Sequence, residues 1–288
     1  MKRFTKICLI LAAVLTALGM IGVGVGFLLG AKPEQLAGNL SYTAPSLSRS
    51  HGQNKDSNSG DSSEYTYDSA IRRLELDVHY ASVTIGTSED DHISVKARNA
   101  GKYFKETVED GDMLVLEDER PKGKATLELE ILLPDRVLEE MELDLGAAEL
   151  TADRLQARQF SLDIGAGAGT IQSLLTSEDA SLDIDVGELT IGYFDGSDLE
   201  LDCDTGQLSI TVAGEEQDYN YDLECGIGSI DIGGSSYSGL SSSHSVGNGA
   251  ARTISADCGM GAISLRFAGE QPASHDHDIE TGHSGSEL

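Results

Sequence analysis

The stretch Leu182-Asp183-Ile184-Asp185-Val186-Gly187-Glu188-Leu189-Thr190-Ile191 contains the pattern that decides the fold. Apolar and polar residues alternate on both sides of Gly187, as in two half-buried β-strands joined by a tight bend. The acid Asp183 is flanked by apolar residues, and the small residue follows it four positions later. The unit is therefore a strand, a bend at a small residue, and a second short strand.

The same sequence pattern recurs along the chain between Leu74 and Phe267. Its repeated acids are Asp77, Asp144, Asp163, Asp183, Asp202, Glu224 and Asp257. From Asp144 to Glu224 the copies follow one another at a period of about 20 residues, which is typical of solenoids, where each copy needs neighbours to bury its apolar edge. The sequence predicts an all-β domain with a β-solenoid-like repeat. An antiparallel β-sandwich is the alternative, because alternating strands alone fit both folds.

Two regions depart from the regular sequence pattern. In the copy at Asp163, Gly169 stands where an apolar residue belongs, and we expect a small insertion or bulge there. The stretch 87–135 is less regular, and its apolar alternation between turns predicts early rungs or hairpins that cap one end of the domain.

Three cysteines directly follow a repeated acid: Cys203, Cys225 and Cys258. Other copies carry valine, leucine or isoleucine at this position, so we expect the thiols to lie in the core as small hydrophobes. Cys203 and Cys225 belong to successive copies and are expected to stack as neighbours.

The N-terminal segment predicts where this domain lies. Residues 7–31 carry no charge, and a helix of that length crosses a hydrocarbon core of about 30 Å at about 1.5 Å per residue. The basic residues in 1–6 favour a cytoplasmic N-terminus. We therefore predict a single-pass cell-membrane protein with an extracellular C-terminal domain. A cleaved signal peptide is the alternative.

The predicted organisation has five parts. They are a cytoplasmic N-terminus at 1–6, a transmembrane anchor at 7–31, a flexible polar stalk at 32–64, the β-repeat domain at 65–268 and a disordered tail at 269–288. Gly22, Gly26 and Gly30 fall on one face of the anchor at intervals of four, a spacing that lets two membrane helices approach closely. Homodimerisation through these glycines is a hypothesis, beside the simpler interpretation that glycine is common in membrane helices.

The charge balance limits the partners. Lys and Arg total 20 against 49 Asp and Glu, a formal net charge of −29, which disfavours nucleic-acid binding. The predicted outward acids are Glu142, Asp144, Asp163, Asp183, Asp185, Glu200, Asp202, Asp204, Asp222, Glu224 and Asp257. Among them Asp183, Asp185, Asp202 and Asp204 are the candidate cation ligands, and calcium is the cation that flexible carboxylates favour. The alternative is a solvated acidic face.

Catalytic patterns are missing from the sequence. It contains no GxSxG, HExxH or phosphate-binding glycine loop. The sequence therefore predicts a non-enzymatic interaction domain without a cofactor, whose partners are membrane or envelope proteins or a cell-surface polymer. A calcium-dependent, carbohydrate-active β-helical enzyme is the alternative, because the acidic stripe supplies carboxylates.

The combination of a basic N-terminus, an apolar anchor and repeats such as Leu182-Asp183-Ile184-Asp185-Val186-Gly187-Glu188-Leu189 resembles a known family. It looks like the bacterial "putative adhesin" family of domains of unknown function, over the anchor and residues 65–268. The resemblance implies a β-solenoid-like domain in the cell envelope, with a role in adhesion or beside envelope-stress signalling. It implies no active-site residues, because the shared pattern consists of core and bend positions.

Overall fold

The computed structural model describes residues 62–238 and 241–269, and the predictions for the anchor, its glycines and most of the stalk and tail lie outside them. Within the described part no helix has the length and hydrophobicity needed to cross a membrane. A 3-10 turn, Glu216–Asp218, is followed directly by β10. The strands are β1 (Ser62–Tyr67), β2 (Arg73–Thr87), β3 (Ile93–Arg98), β4 (Phe104–Glu109), β5 (Met113–Asp118), β6 (Leu127–Leu133), β7 (Leu138–Thr176), β8 (Asp179–Asp195), β9 (Asp198–Val212), β10 (Tyr219–Cys225), β11 (Ser229–Ile232), β12 (Ser235–Ser238), β13 (Ser242–Val246) and β14 (Arg252–Phe267).

The centre of the molecule is a stack of parallel rungs, each bent at its small residue. β2 pairs with the first part of β7, the second part of β7 pairs with β8, and β8 pairs with β9, all in parallel. The repeated acids are register partners, so that Asp183 lies opposite both Asp163 and Asp202. The predicted β-solenoid-like repeat is confirmed. The alternative antiparallel sandwich is wrong, because neighbouring rungs run in the same direction.

The rungs do not stack in chain order. The last strand, β14, lies between β9 and β10 and pairs in parallel with both. At the other end β2 lies between β7 and a rung made of β5 and β6. Each outer rung is thus an internal segment of the chain, while the first and last long strands are held inside the stack.

Antiparallel strands complete both ends. β4 pairs with β5, and β3 pairs with β6 and β1, so the prediction that 87–135 caps one end is confirmed. β13 pairs with β10 and β12 with β11 at the opposite end. β1 begins at Ser62, inside the segment 32–64 that the sequence assigns to the stalk, because Ser62 to Tyr67 extend the ladder along β3.

The bend positions bring neighbouring backbones very close together. A Cβ added to Gly206 would lie 2.0 Å from the carbonyl oxygen of Gly187, and one added to Gly187 would lie 1.9 Å from that of Gly167. Atoms cannot approach so closely, so glycine is required here. The same column holds Ala81 and Ala148 in the first rungs.

The expected bulge at Gly169 is wrong. Gly169 stays in register with Leu189, and Leu189 Cδ1 lies 2.6 Å from the point that a Cβ on Gly169 would occupy. The side chain of the next rung therefore fills the space that the missing side chain leaves. The register shift falls instead between Ile191 and Phe194 of β8.

The three cysteines are buried and free, as predicted for core positions. The expectation that Cys203 and Cys225 are neighbours is wrong. Cys258 pairs in register with both of them, because β14 is inserted between their strands. Burial raises the pKa of the Cys203 thiol to about 11, which keeps this thiol protonated at neutral pH.

A buried ion pair closes the core at the β5 end. Asp118 lies opposite Val78, so a carboxylate takes the inward position that other rungs fill with apolar side chains. Arg120 Nε donates to Asp118 Oδ1 at 2.6 Å and Arg120 Nη2 donates to Oδ2 at 2.7 Å. The guanidinium also donates to the backbone oxygens of Ala125 and Asn99, so both charges are well satisfied despite their burial.

Candidate interaction surface

A ladder of carboxylates runs along the outer face of the first strand of every rung. Its members, in spatial order, are Glu117, Asp77, Asp144, Asp163, Asp183, Asp202, Asp257 and Glu224. Neighbouring members are about 4.8 Å apart along the stack, the usual separation of paired strands. Six of the predicted outward acids, Asp144, Asp163, Asp183, Asp202, Asp257 and Glu224, lie in this in-register row together with Glu117 and Asp77, and we call the row the carboxylate ladder.

Carboxylates of the ladder raise the pKa values of their neighbours in it. Partial burial raises the pKa of the Asp183 carboxyl, and the charges of Asp163, Asp185 and Asp204 raise it further. Asp202 shows the same direction, from burial first and then from the charges of Asp183 and Asp257. Both causes disfavour the charged form, so the ladder carries an electrostatic cost at neutral pH.

The four candidate cation ligands lie close together in the fold. Asp183 and Asp202 are register partners, and Asp185 and Asp204 each follow the core residue of the same two rungs. In the described part of the chain no group of three or more His, Cys, Asp or Glu side chains is arranged to hold a metal ion. Cation binding by these aspartates stays a prediction.

Shallow depressions lie beside the ladder near its β10 end. One, of about 240 Å³, is lined by the acids Glu200, Asp202, Asp222, Glu224 and Asp257. Ser255 provides part of its lining, since the rung of β14 has a short side chain where β9 has Glu200. The outer face of the ladder is therefore open and acidic.

A second ladder, of hydroxyl groups, follows the bend. Its members are Thr84, Thr151, Thr170, Thr190, Ser209 and Ser264. It ends at Asp231 on one side and at Glu130 on the other. The signal in the sequence that identifies this ladder is its constant spacing, because each hydroxyl residue follows its repeated acid by the same number of positions.

An exposed apolar corner separates the two ladders at the C-terminal rungs, and sequence analysis missed it. Val186, Met260 and Ile227 are 54%, 51% and 68% exposed. Val186 and Met260 both pair with Thr205, and the Ile227 amide donates to the Gly259 carbonyl, so the three occupy one column just before the bend. We call this column the apolar corner.

The chain is similar to several bacterial proteins of known structure. It is 15% identical to a putative cell adhesion protein from Clostridium sporogenes, with a TM-score of 0.43, over 72% of this chain and 99% of that one. A putative adhesin from Parabacteroides distasonis is 12% identical, with a TM-score of 0.36, over 72% and 97%. A putative lipid binding protein from the same species is 14% identical, with a TM-score of 0.25, over 73% and 96%. No curated protein matches.

The family model described as Toastrack DUF4097 matches residues 71–241. The match covers more than half of the 288 residues and runs from β2 through the central rungs to β12. The resemblance inferred from the repeats is confirmed. The chain belongs to the Toastrack DUF4097 family.

Proposed function

We propose that this protein is a non-enzymatic interaction protein, anchored by its N-terminal segment, that presents the outer faces of its solenoid to a partner outside the cytoplasm. The observation that carries the proposal is the pair of in-register ladders along the stack. Long, regular, exposed faces of this kind are the surfaces through which solenoid proteins bind. In this proposal the function resides in the extended outer surface of the solenoid that carries the two ladders.

Two kinds of partner suit such a surface. A membrane or envelope protein would make this chain an accessory of an envelope-stress pathway. A cell-surface polymer would make it an adhesin. The net charge of −29 favours partners that carry positive charge over nucleic acids. Close approach of two anchors at Gly22, Gly26 and Gly30 would add a homodimer to either version.

Site-specific photo-crosslinking in living cells of the native host tests the proposal. One probe replaces Ser181 on the acidic face, a second replaces Thr84 on the hydroxyl face, and a third replaces Lys124, an exposed residue of the loop between β5 and β6. We expect specific products from a probe on either ladder face and none from the loop probe. A membrane protein among the products supports the signalling version, and wall polymer supports adhesion.

Two results would contradict the proposal. If all three probes give the same products, or none, the outer faces are not binding surfaces and the proposal fails. Clearing of a polysaccharide gel by the purified protein, in the presence or absence of calcium, would also contradict it.

A further inference from the structure

The apolar corner and the acids beside it point to a particular class of partner. We infer that the corner formed by Val186, Met260 and Ile227 docks a basic, amphipathic polypeptide segment, with its apolar face on the corner and its cationic side chains over the neighbouring carboxylates. The inference deepens the proposed function and rests on it, because it names the partner for one part of the same surface.

The exposure of the corner is the first observation. All three side chains are more than half exposed, and elsewhere in the described part of the chain Val137 is the one other large apolar side chain exposed to this degree. They share one column, so their surfaces are nearly contiguous, and contiguous exposed apolar surface marks interaction sites more reliably than scattered residues do. Thr205 adds its methyl group to the column between Val186 and Met260.

The charges around the corner define the partner. Asp185 and Asp204 precede the column and Glu188 follows it, and all three are exposed. The sequence has no Lys or Arg between residues 159 and 251. The local field is therefore negative around the column, most strongly at its Val186 end. It repels a second copy of this chain and an anionic lipid surface, and it attracts Lys and Arg side chains.

The spacing of the column fits a helix. Adjacent rungs are about 4.8 Å apart, so the column extends about 14 Å from Val186 to Ile227. An α-helix rises about 1.5 Å per residue, so about ten residues span that distance, with apolar side chains at every third or fourth position on the corner. Lysines beside that stripe would lie over Asp185, Asp204 and Glu188, toward the Val186 end of the column.

The test uses the full-length chain in nanodiscs of zwitterionic lipid and a fluorescent synthetic peptide. The peptide is an amphipathic helix of about 14 residues, with leucine on one face and lysine on the flanks. A scrambled peptide of the same composition lacks the apolar stripe, and empty nanodiscs correct for lipid binding. Fluorescence anisotropy measures the dissociation constant for each peptide.

Two sets of variants separate the apolar and charged contributions. Replacing Val186, Met260 and Ile227 together by serine is expected to weaken binding by roughly tenfold or more, since apolar area is lost from the contact. The matched control replaces Val108 and Val137, which are exposed elsewhere, by serine and is expected to leave the constant unchanged. Asp185→Asn with Asp204→Asn should also weaken binding, whereas Glu89→Gln with Asp91→Asn should not.

Salt gives an independent readout. Raising NaCl from about 50 mM to about 300 mM should weaken binding to the wild-type protein, because screening reduces the attraction between exposed charges. Urea denaturation of the serine variant is the control for folding, and we expect its unfolding midpoint to match that of the wild-type domain.

Three results would overturn the inference: equal binding of the scrambled peptide, unchanged binding by the triple serine variant, or equal losses in the control variant. Failure here leaves the proposed function standing if the probe at Ser181 or Thr84 still captures a partner in cells. If the peptide does not bind and the probes at Ser181 and Thr84 capture no partner in cells, the proposed function is contradicted as well.

Discussion

The two ends of the solenoid are built on the same plan but differ in how their charges are arranged. At the β5 end, acids face cations: Arg73 pairs with Asp112, Lys96 with Glu130, and Arg98 with Glu128. In the C-terminal rungs the first arginine after Arg158 is Arg252, which contacts Asp195 and donates to the Tyr219 hydroxyl. The first end is stabilised by compensated charge, whereas the second leaves carboxylates and apolar side chains exposed.

We interpret this difference as one between a structural end and the end that we propose to bind a partner. Like charges in facing positions lower stability, and exposed apolar side chains contribute no burial energy; binding surfaces commonly carry such costs. The β5 end instead contains the Asp118–Arg120 pair, whose atoms are nearly all engaged in hydrogen bonds. The comparison predicts that the largest stability losses follow changes to the Asp118–Arg120 pair and to the glycine bends, while removing charge from the carboxylate ladder increases stability.

The largest effect is expected for Asp118→Ala. The change leaves the Arg120 guanidinium buried without its counter-charge, and breaking a buried pair in this way typically costs about 3–5 kcal/mol. Urea denaturation followed by tyrosine fluorescence, which is usable because the chain has no tryptophan, measures the loss. The double change Asp118→Val and Arg120→Leu should cost less than Asp118→Ala with Arg120 retained. A loss below about 1 kcal/mol would show that the end is not held by this pair.

A smaller loss is expected for Gly206→Ala. The added Cβ would lie 2.0 Å from the Gly187 carbonyl oxygen, and this backbone atom cannot move without displacing the neighbouring rung. Overpacking of this kind typically costs about 1–3 kcal/mol in the free energy of unfolding. Gly234→Ala is the matched control, because a Cβ there meets nothing within 4 Å. Equal unfolding midpoints for the two variants would contradict a steric requirement at the bend.

The sequence predicted the rung but not the order of the rungs. Alternation around Asp183 reports which side chains face inward and so locates the core cysteines, while the recurrence of the acid and the bend at one register favours a β-solenoid-like repeat over a sandwich. Alternation does not report which strands are neighbours. β14 carries the same sequence pattern whether it follows β10 or inserts between β9 and β10. The longer intervals between Asp77 and Asp144 and between Glu224 and Asp257 are the signs in the sequence that the series is interrupted.

The candidate surface was predicted in part for a related reason. Acids at alternate positions reveal the carboxylate ladder directly. The apolar corner breaks the alternation, since Asp185 and Val186 are consecutive and both exposed at the bend. A two-residue period counts Val186 as inward, so the corner is recognised only when the backbone direction at Gly187 is known.

The smallest effect, and the one with opposite sign, is expected on the ladder. The pKa values of Asp183 and Asp202 are raised in the folded state, so the folded protein binds protons more tightly than the unfolded chain at these sites. The resulting loss of stability is fully present above the raised pKa values. It diminishes as the pH falls through them and is gone below the ordinary aspartate value of about 3.9.

Asp183→Asn combined with Asp202→Asn should therefore stabilise the domain at pH 7 by some tenths of a kcal/mol, because it removes like charges from facing strand positions. The gain should shrink as the pH is lowered toward about 4.5, which urea titrations at both pH values would measure. Asp90 is the control at the other end. Hydrogen bonds from the His92 amide and the Ser88 hydroxyl lower its pKa, so Asp90→Asn should destabilise at neutral pH, and that loss should shrink on acidification. Destabilisation by the ladder variant at pH 7 would mean that the carboxylates are held by favourable contacts, and the contrast between the two ends would then lie in packing instead of charge.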